Sequence, residues 1–584
     1  MAPDSKTWQA PGPGLWEMDE SHQSAPYSTY MRELIKAHFN TGVREGAARY
    51  GLLIDRFDIR FIDGWQFVRM LMVGAPEKPG PLPPRWLFKL LFRLHPALRR
   101  RAAAASRAVV SQPWRQDAEW WMHEGRDRFR ARLAGLQSVD LAALSDPELR
   151  SHIAEVRSAT AEGMRIHFRD ALAHWIGVGD WLMKTSEWTG TAPDVAVAAL
   201  QGASPFSVDA VEYLNRVAAA ASESPAALEA LSATGDAAGR LAAMRAASPG
   251  VAAALDAYLD EHGWRIYTGF DIADKAAVEL PENIVDAVAA RLRPANDSSP
   301  VESFAVTLRS SVPAANLQDY DRLLETARIL YGVRDDDAGP CVHWTLGLVR
   351  RALLESGRRL AERGALLQPE HVFDATPEEV DGLLGGTPPM VAADEVARRA
   401  EARLANAAHR PPSRLGEEEG PPPPDDWLPP AVARVNGALM VAMSIEYPAA
   451  VDSPPEEEAK TILKGNAASR GQYEGRACVV HGPDDFAKLQ PGDVLVAPFT
   501  TTAYGVVLPL LGGVVTERGG VLSHAAIVAR EYAIPAVVNT AHATSLIADG
   551  VRVRVDGDSG TIEVLEAPGL TGGHPRGERD AVPR

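Results

Sequence analysis

The sequence predicts a multidomain chain in which a large, mostly α-helical domain is followed by a small α/β domain. Three observations carry this. A length of 584 residues exceeds what one ordinary core holds. Over roughly the first 410 positions, apolar residues recur at three- and four-residue spacing, the period of a helix. From about residue 461, short β-type runs punctuated by glycine and proline replace that spacing.

The helical part contains segments such as "DAEWWMHEGRDRFRARLAGL" and "VHWTLGLVRRALLESGRRLAERGAL", each with one apolar face. An alanine-rich stretch, 217–257, suits small, closely packed helices. Turn-forming clusters at 75–86, "APEKPGPLPPRW", and 293–300, "RPANDSSP", break the pattern. The strongest boundary is "HRPPSRLGEEEGPPPPDDWLPP", 409–430, because clustered prolines cannot continue a helix and make a stiff spacer. A short helix, "PAVARVNGALMVAM", and a second break, 447–460, follow.

The resulting division is a helical domain over 1–410, a proline-rich linker with a short helix over 411–460, an α/β domain over 461–566 and a disordered tail over 567–584. The strands of the α/β domain are read at "GRACVV", "GDVLVAP", "GGVVTE", "PAVVNT", "VRVRVDG" and "TIEVL".

Composition narrows the function. A net charge of -17 argues against a protein held to nucleic acid through phosphate contacts. Two cysteines, Cys341 and Cys478, can build neither a disulfide framework nor a zinc site. No secretory leader and no run of 18 apolar residues is found, so a cytoplasmic protein without a membrane partner is expected.

The chemistry concentrates at "TERGGVLSHAAIVAREYAIPAVV", 516–538. A strand ends in Thr516, Gly519 and Gly520 permit close backbone approach, and Ser523 is a good N-cap. His524 then falls in the first turn of a helix, where unpaired amides and the positive end of the helix dipole suit an anion. An imidazole nitrogen there can carry a phosphoryl group, held by the loop amides and the Thr516 and Ser523 hydroxyls. A bare Gly-Gly-x-x-Ser-His also fits an ordinary helix start.

The whole stretch, "T-x-x-G-G-x-x-S-H-A-A-I-V-A-R-E-x-x-I-P-A-V-V", resembles the phosphohistidine motif of the phosphoenolpyruvate-utilising enzymes. Flanking segments from "LKGNAASRGQYEGRACVV" to "ADGVRVRVDGDSGTIEVL" resemble the rest of that family's swivelling domain, over 461–565. The resemblance implies that His524 is the phosphorylated residue. It also implies that Thr516, Gly519, Gly520 and Ser523 form its cradle, with Arg530 either contacting phosphate or closing the domain.

The helical part resembles, more loosely, the substrate domain of the rifampin phosphotransferase branch. The matching segments are "WEMDESHQSAPYSTY", "LDAYLDEHGWRIYTGFDIADKAAVELPENI" and "SGRRLAERGALLQPEHVFDATPEEV". It departs at Ala375, where leucine is typical, and at "VRDDD", where Asp335 replaces part of an Arg-Glu pair. Neither an ATP-grasp segment nor a phosphoenolpyruvate barrel is legible. The resemblance therefore implies a dikinase-type phosphotransferase of the split, phenylphosphate-synthase-like kind. A separate ATP-grasp subunit, holding ATP and Mg2+, would charge His524, and this chain would bind no cofactor or metal itself.

Phosphoryl transfer rests on positioning and charge neutralisation, so the acceptor pocket needs cations and a base. Candidates are Arg334, Arg350, Arg351, His343 and His262, each of which also fits an ordinary structural role. The expected acceptor is a small hydroxyl compound, with a phenol suggested by tryptophans such as Trp120, Trp121, Trp175 and Trp264. Two alternatives fit the same residues. One is a phosphocarrier or regulatory protein without a small-molecule acceptor, and the other is phosphoenolpyruvate/pyruvate interconversion with partner subunits.

Overall fold

A computed structural model of the chain describes residues 7–565 apart from 21, 79, 205–208, 293–303, 389–390, 419, 449–461, 502–503 and 506. The break read at 293–300, most of the break at 447–460 and the tail at 567–584 lie outside the described residues.

The helical body opens with strand β1 (Trp16–Met18) and helix α1 (Thr29–Tyr50). The Ser28 hydroxyl accepts from the Met31 amide at the start of α1, and Gly51 ends the helix in a left-handed conformation. A hairpin follows, β2 (Ile54–Ile62) and β3 (Trp65–Met72). Its two-residue turn, Asp63-Gly64, has positive φ at both positions, the geometry that matches strand twist. With β4 (Arg414–Leu415) these strands form a sheet in the order β2-β3-β1-β4. The sequence reading of 1–410 as helical did not anticipate this sheet.

Helices α2 (Arg85–Leu94) and α3 (Pro96–Ser111) come next. The spine of the body is α4 (Asp146–Thr189), 44 residues long. The Ser145 amide and hydroxyl bond to Glu148 at its start, and Gly190 terminates it in a left-handed conformation. Packed on α4 are α1, α5 (Leu317–Ala338) and α7 (Pro430–Glu446). Between α5 and α6 (Thr345–Glu362) lies a π-helical turn, Gly339–Trp344. The short helix read inside the 411–460 linker is therefore α7, seated against the spine of the helical body.

The small domain is an eight-stranded sheet. Its strands are β5 (Ile462–Lys464), β6 (Asn466–Ser469), β7 (Gln472–Val479), β8 (Val494–Ala497), β9 (Gly513–Thr516), β10 (Ala536–Val538), β11 (Arg552–Asp556) and β12 (Thr561–Val564). The order is β5-β12-β11-β7-β8-β9-β10-β6, with β7 to β10 parallel. Both faces of the parallel centre are covered, which explains its unbroken apolar runs. Helix α8 (His524–Glu531) packs over β6, β9 and β10. One buried apolar cluster continues from the helical body into this domain through Leu522, Ala525 and Val528.

Candidate functional site

The loop from β9 to α8 is shaped by two glycines. Gly519 has φ +100°, and a side-chain carbon there would lie 2.9 Å from the Ser523 hydroxyl oxygen. At Gly520 such a carbon would lie 1.9 Å from the Ile445 carbonyl oxygen. Here the loop meets the C-terminus of α7: the Gly520 amide donates to the Glu446 carbonyl at 2.9 Å and the Val521 amide to the Ile445 carbonyl at 3.0 Å. Gly520 thus docks the small domain onto the helical body.

Ser523 is the N-cap of α8, and its carbonyl accepts from the Ile527 amide at 2.9 Å. Its buried hydroxyl has no hydrogen-bond partner. His524 is the first residue of α8, with 23% of its side chain exposed. Its Nδ1 lies 3.6 Å from Oδ1 of Asp335 on α5, and its Nε2 has no hydrogen-bond partner. That separation is ion-pair reach, longer than a direct hydrogen bond. In the tautomer whose Nδ1–H points at this carboxylate, the Nε2 lone pair is left as nucleophile.

The other residues expected to cradle a phosphoryl group are placed differently. The Thr516 hydroxyl is buried and donates to the Arg518 carbonyl at 2.9 Å. Arg530 is buried; its guanidinium donates to the Ala468 and Val521 carbonyls at 2.8 and 2.7 Å and to the Tyr331 hydroxyl at 2.5 Å. These bonds hold the guanidinium inside the fold, and through Tyr331 they tie α8 to α5. Glu531 adds a second tie, accepting from the Gly202 and Ser204 amides at 3.1 and 3.2 Å.

Opposite His524, the run Val333-Arg334-Asp335-Asp336-Asp337 sends successive side chains to different elements. Arg334 pairs with Glu446 at the end of α7 and reaches the Leu522 carbonyl at 3.5 Å. The Trp175 indole donates to the other Glu446 oxygen at 2.6 Å. Asp335 faces His524, and its second oxygen accepts from the Ser204 hydroxyl at 3.3 Å. Asp336 accepts from the Trp121 indole at 2.7 Å, and burial pushes its carboxyl up to about 6. Asp337, fully buried, bonds His167 Nδ1 at 2.7 Å.

Histidines converge on the same place. Burial pushes the His343 imidazole down to about 3, reinforced by the charges of Arg265, His167, His524 and His22. His167 is pushed down to about 3 by burial and by the charges of Arg334 and His22. At His22 desolvation opposes protonation, but Asp19, 2.9 Å away, outweighs it and the pKa is raised. The Phe270 ring contacts both His22 and His343, with centroid distances of 4.9 and 5.1 Å.

Of the helical candidates, Arg334 and His343 are brought to His524. The bonds formed by Arg350 and Arg351 stay within the helical body: Arg350 forks onto Glu279 at 2.7 and 2.9 Å, and Arg351 donates to the Gln137 and Val139 carbonyls at 2.8 Å. His262 is buried, with Tyr258 stacked on it and the edge of Tyr213 against it. Trp121, Trp181 and Trp344 are core residues.

Sequence reasoning missed Glu446, His22 and His167, and noted Asp335 only as a departure. Among the described residues, no group of three or more His, Cys, Asp or Glu side chains is placed to hold a metal ion. No described helix is long and apolar enough to cross a membrane.

A histidine at a helix start on a small α/β domain, set against a large helical body, is the arrangement that this fold and site describe. Residues 489–560 match the mobile domain of phosphoenolpyruvate-utilising enzymes, and residues 156–354 match the fourth domain of rifampicin phosphotransferase. The small domain is thus similar to the phosphoenolpyruvate-utilising enzymes and the helical part to rifampicin phosphotransferase. It is 31% identical over 328 residues to a rifampicin phosphotransferase from a Streptomyces species, covering 53% of this chain and 34% of that protein. It is 31% identical over 375 residues to an uncharacterized protein of Mycobacterium tuberculosis, covering 64% of this chain and 38% of that protein. An uncharacterized phosphotransferase of Bacillus subtilis is 27% identical over 317 residues, covering 53% of this chain and 36% of that protein. The chain thus spans little more than a third of the length of these relatives.

Proposed function

We propose that the chain is the acceptor-side part of a dikinase-type phosphotransferase, with His524 as its phosphoryl carrier. The observation that carries this reading is the His524 ring, with Nδ1 against Asp335 and Nε2 unpartnered, docked onto the helical body beside Arg334. A phosphoryl group on Nε2 would meet the first-turn amides of α8 and the unpartnered Ser523 hydroxyl. Arg334 would supply positive charge from the helical side.

The charging step belongs to a separate ATP-grasp unit that holds ATP and Mg2+. There His524 would attack the β-phosphorus of ATP, taking the pyrophosphoryl group as AMP leaves, and water would then cleave the bond to the terminal phosphate, leaving phospho-His524 and free phosphate. In the second step an acceptor hydroxyl attacks the remaining phosphorus, the P–N bond breaks, and the hydroxyl proton passes to a base. Phe270, in ring contact with His22 and His343, is the aromatic side chain against which a phenolic acceptor would pack.

The test charges the purified chain with phosphoramidate, a chemical donor to histidine, and maps acid-labile phosphate by mass spectrometry. His524 is expected to be labelled and to discharge faster when hydroxyl compounds, phenols among them, are added. Labelling of other histidines with His524 left unmodified would defeat the proposal.

A further inference from the structure

Helices α2 and α3 carry a surface that the phosphoryl chemistry does not use. In α2, Trp86, Leu90 and Leu94 stand one turn apart on one face and are exposed by 69%, 36% and 65%. Beside them, again one turn apart, run Arg85, Lys89 and Arg93, all exposed. The opposite face is anchored: Phe92 is buried and Phe88 packs on Trp427. The exposed apolar stripe is thus not the helix's core-facing side.

The charge of this region is opposite to that of the chain. No Asp or Glu occurs between Glu77 and Asp117, whereas the whole protein carries -17. The cations continue onto α3 as exposed Arg99, Arg100 and Arg107. Arg85 pairs with Asp426, but Lys89, Arg93 and the three α3 residues form no ion pair among the described residues.

We infer that α2 and the start of α3 form a docking surface for an anionic lipid bilayer. Tryptophan and leucine would enter the headgroup boundary while lysine and arginine stay at phosphate level, the arrangement of interfacial helices. Nucleic acid would use the cations but leave the leucine stripe in water. The apolar stripe is only three side chains long on one short helix, far less than the central patch of a stable protein interface. The expectation of no membrane partner rested on the lack of a spanning segment, which a peripheral surface does not require.

The test is sedimentation of the full chain with phosphatidylcholine vesicles, with and without phosphatidylglycerol. Binding is expected only to the anionic vesicles and should weaken as salt rises. Trp86→Ser with Leu90→Ser, and separately Lys89→Glu with Arg93→Glu, should each reduce partitioning about tenfold or more. These side chains are exposed, and unchanged circular dichroism and melting will confirm that the variants fold. No binding to anionic vesicles overturns the inference. So does binding that survives Trp86→Ser with Leu90→Ser, or uptake of soluble polyglutamate with vesicles ignored, which would mark an acidic protein partner instead.

Discussion

The imidazole of His524 and the carboxylate of Asp335 meet across the seam between the small domain and the helical body, Nδ1 to Oδ1 at 3.6 Å. One residue begins a helix of the α/β domain and the other sits near the end of α5. Their pairing orients a ring whose other nitrogen is unpartnered, and it exists only while the two parts are docked.

His524→Asn should remove acid-labile label at this position and abolish transfer, with an unchanged circular dichroism spectrum and melting temperature. Measurable transfer by this variant would rule out His524 as the carrier.

Asp335→Asn tests orientation rather than nucleophilicity. Chemical labelling of His524 should persist, while discharge to an acceptor slows by roughly a hundredfold. Rapid-quench kinetics separates the two steps. Equal loss in both would assign Asp335 a structural role.

Gly520→Ala would place a carbon 1.9 Å from the Ile445 carbonyl oxygen. The loop must then leave α7, costing the amide bonds to Glu446 and Ile445. Transfer to an acceptor should fall by about tenfold or more because reacting groups lose alignment, while chemical labelling continues. Tyr331→Phe, which removes one docking bond of Arg530, should show a weaker form of the same separation.

Arg530→Met strips donors from the Ala468 and Val521 carbonyls and the Tyr331 hydroxyl in a buried place. Chemical denaturation should show a loss of about 3 kcal/mol.

His343 provides a pH test. Its folded pKa is pushed down to about 3, below the ordinary histidine value. Between those values the unfolded chain binds a proton that the folded chain refuses, so this residue lowers stability as pH falls. Its neutral form carries no such penalty above about pH 6.5. On moving from about pH 7.5 to pH 5, the stability of His343→Gln relative to the native chain should therefore shift by about 2 kcal/mol in the variant's favour. Parallel denaturation curves at the two pH values check this.

Some of the fold was legible because its signals are local. The Asp63-Gly64 turn lies between runs that alternate apolar and polar residues, a hairpin signature that the helical reading of residues 1–410 passed over. The role of α7 was less legible. Its apolar residues mark a helix, but nothing nearby says that they pack on α4 and that its last residues receive the Gly520 loop.

By itself the sequence determined the strand, the glycine turn, the Ser523 cap and His524 at a helix start, because those residues are neighbours in the chain and their geometry follows from backbone preferences. Only the tertiary structure decided which groups face the imidazole. Arg334 and Asp335 come from α5 and His343 from the turn after it, Glu446 from α7, His167 from α4 and His22 from the segment before α1, and packing brings these elements to the α8 start. The same packing separated Arg334 from Arg350 and Arg351. All three are arginines on helices with bonded guanidinium groups, but Arg334 makes its bonds at the seam, to Glu446 and the Leu522 carbonyl, whereas Arg350 and Arg351 make theirs inside the helical body.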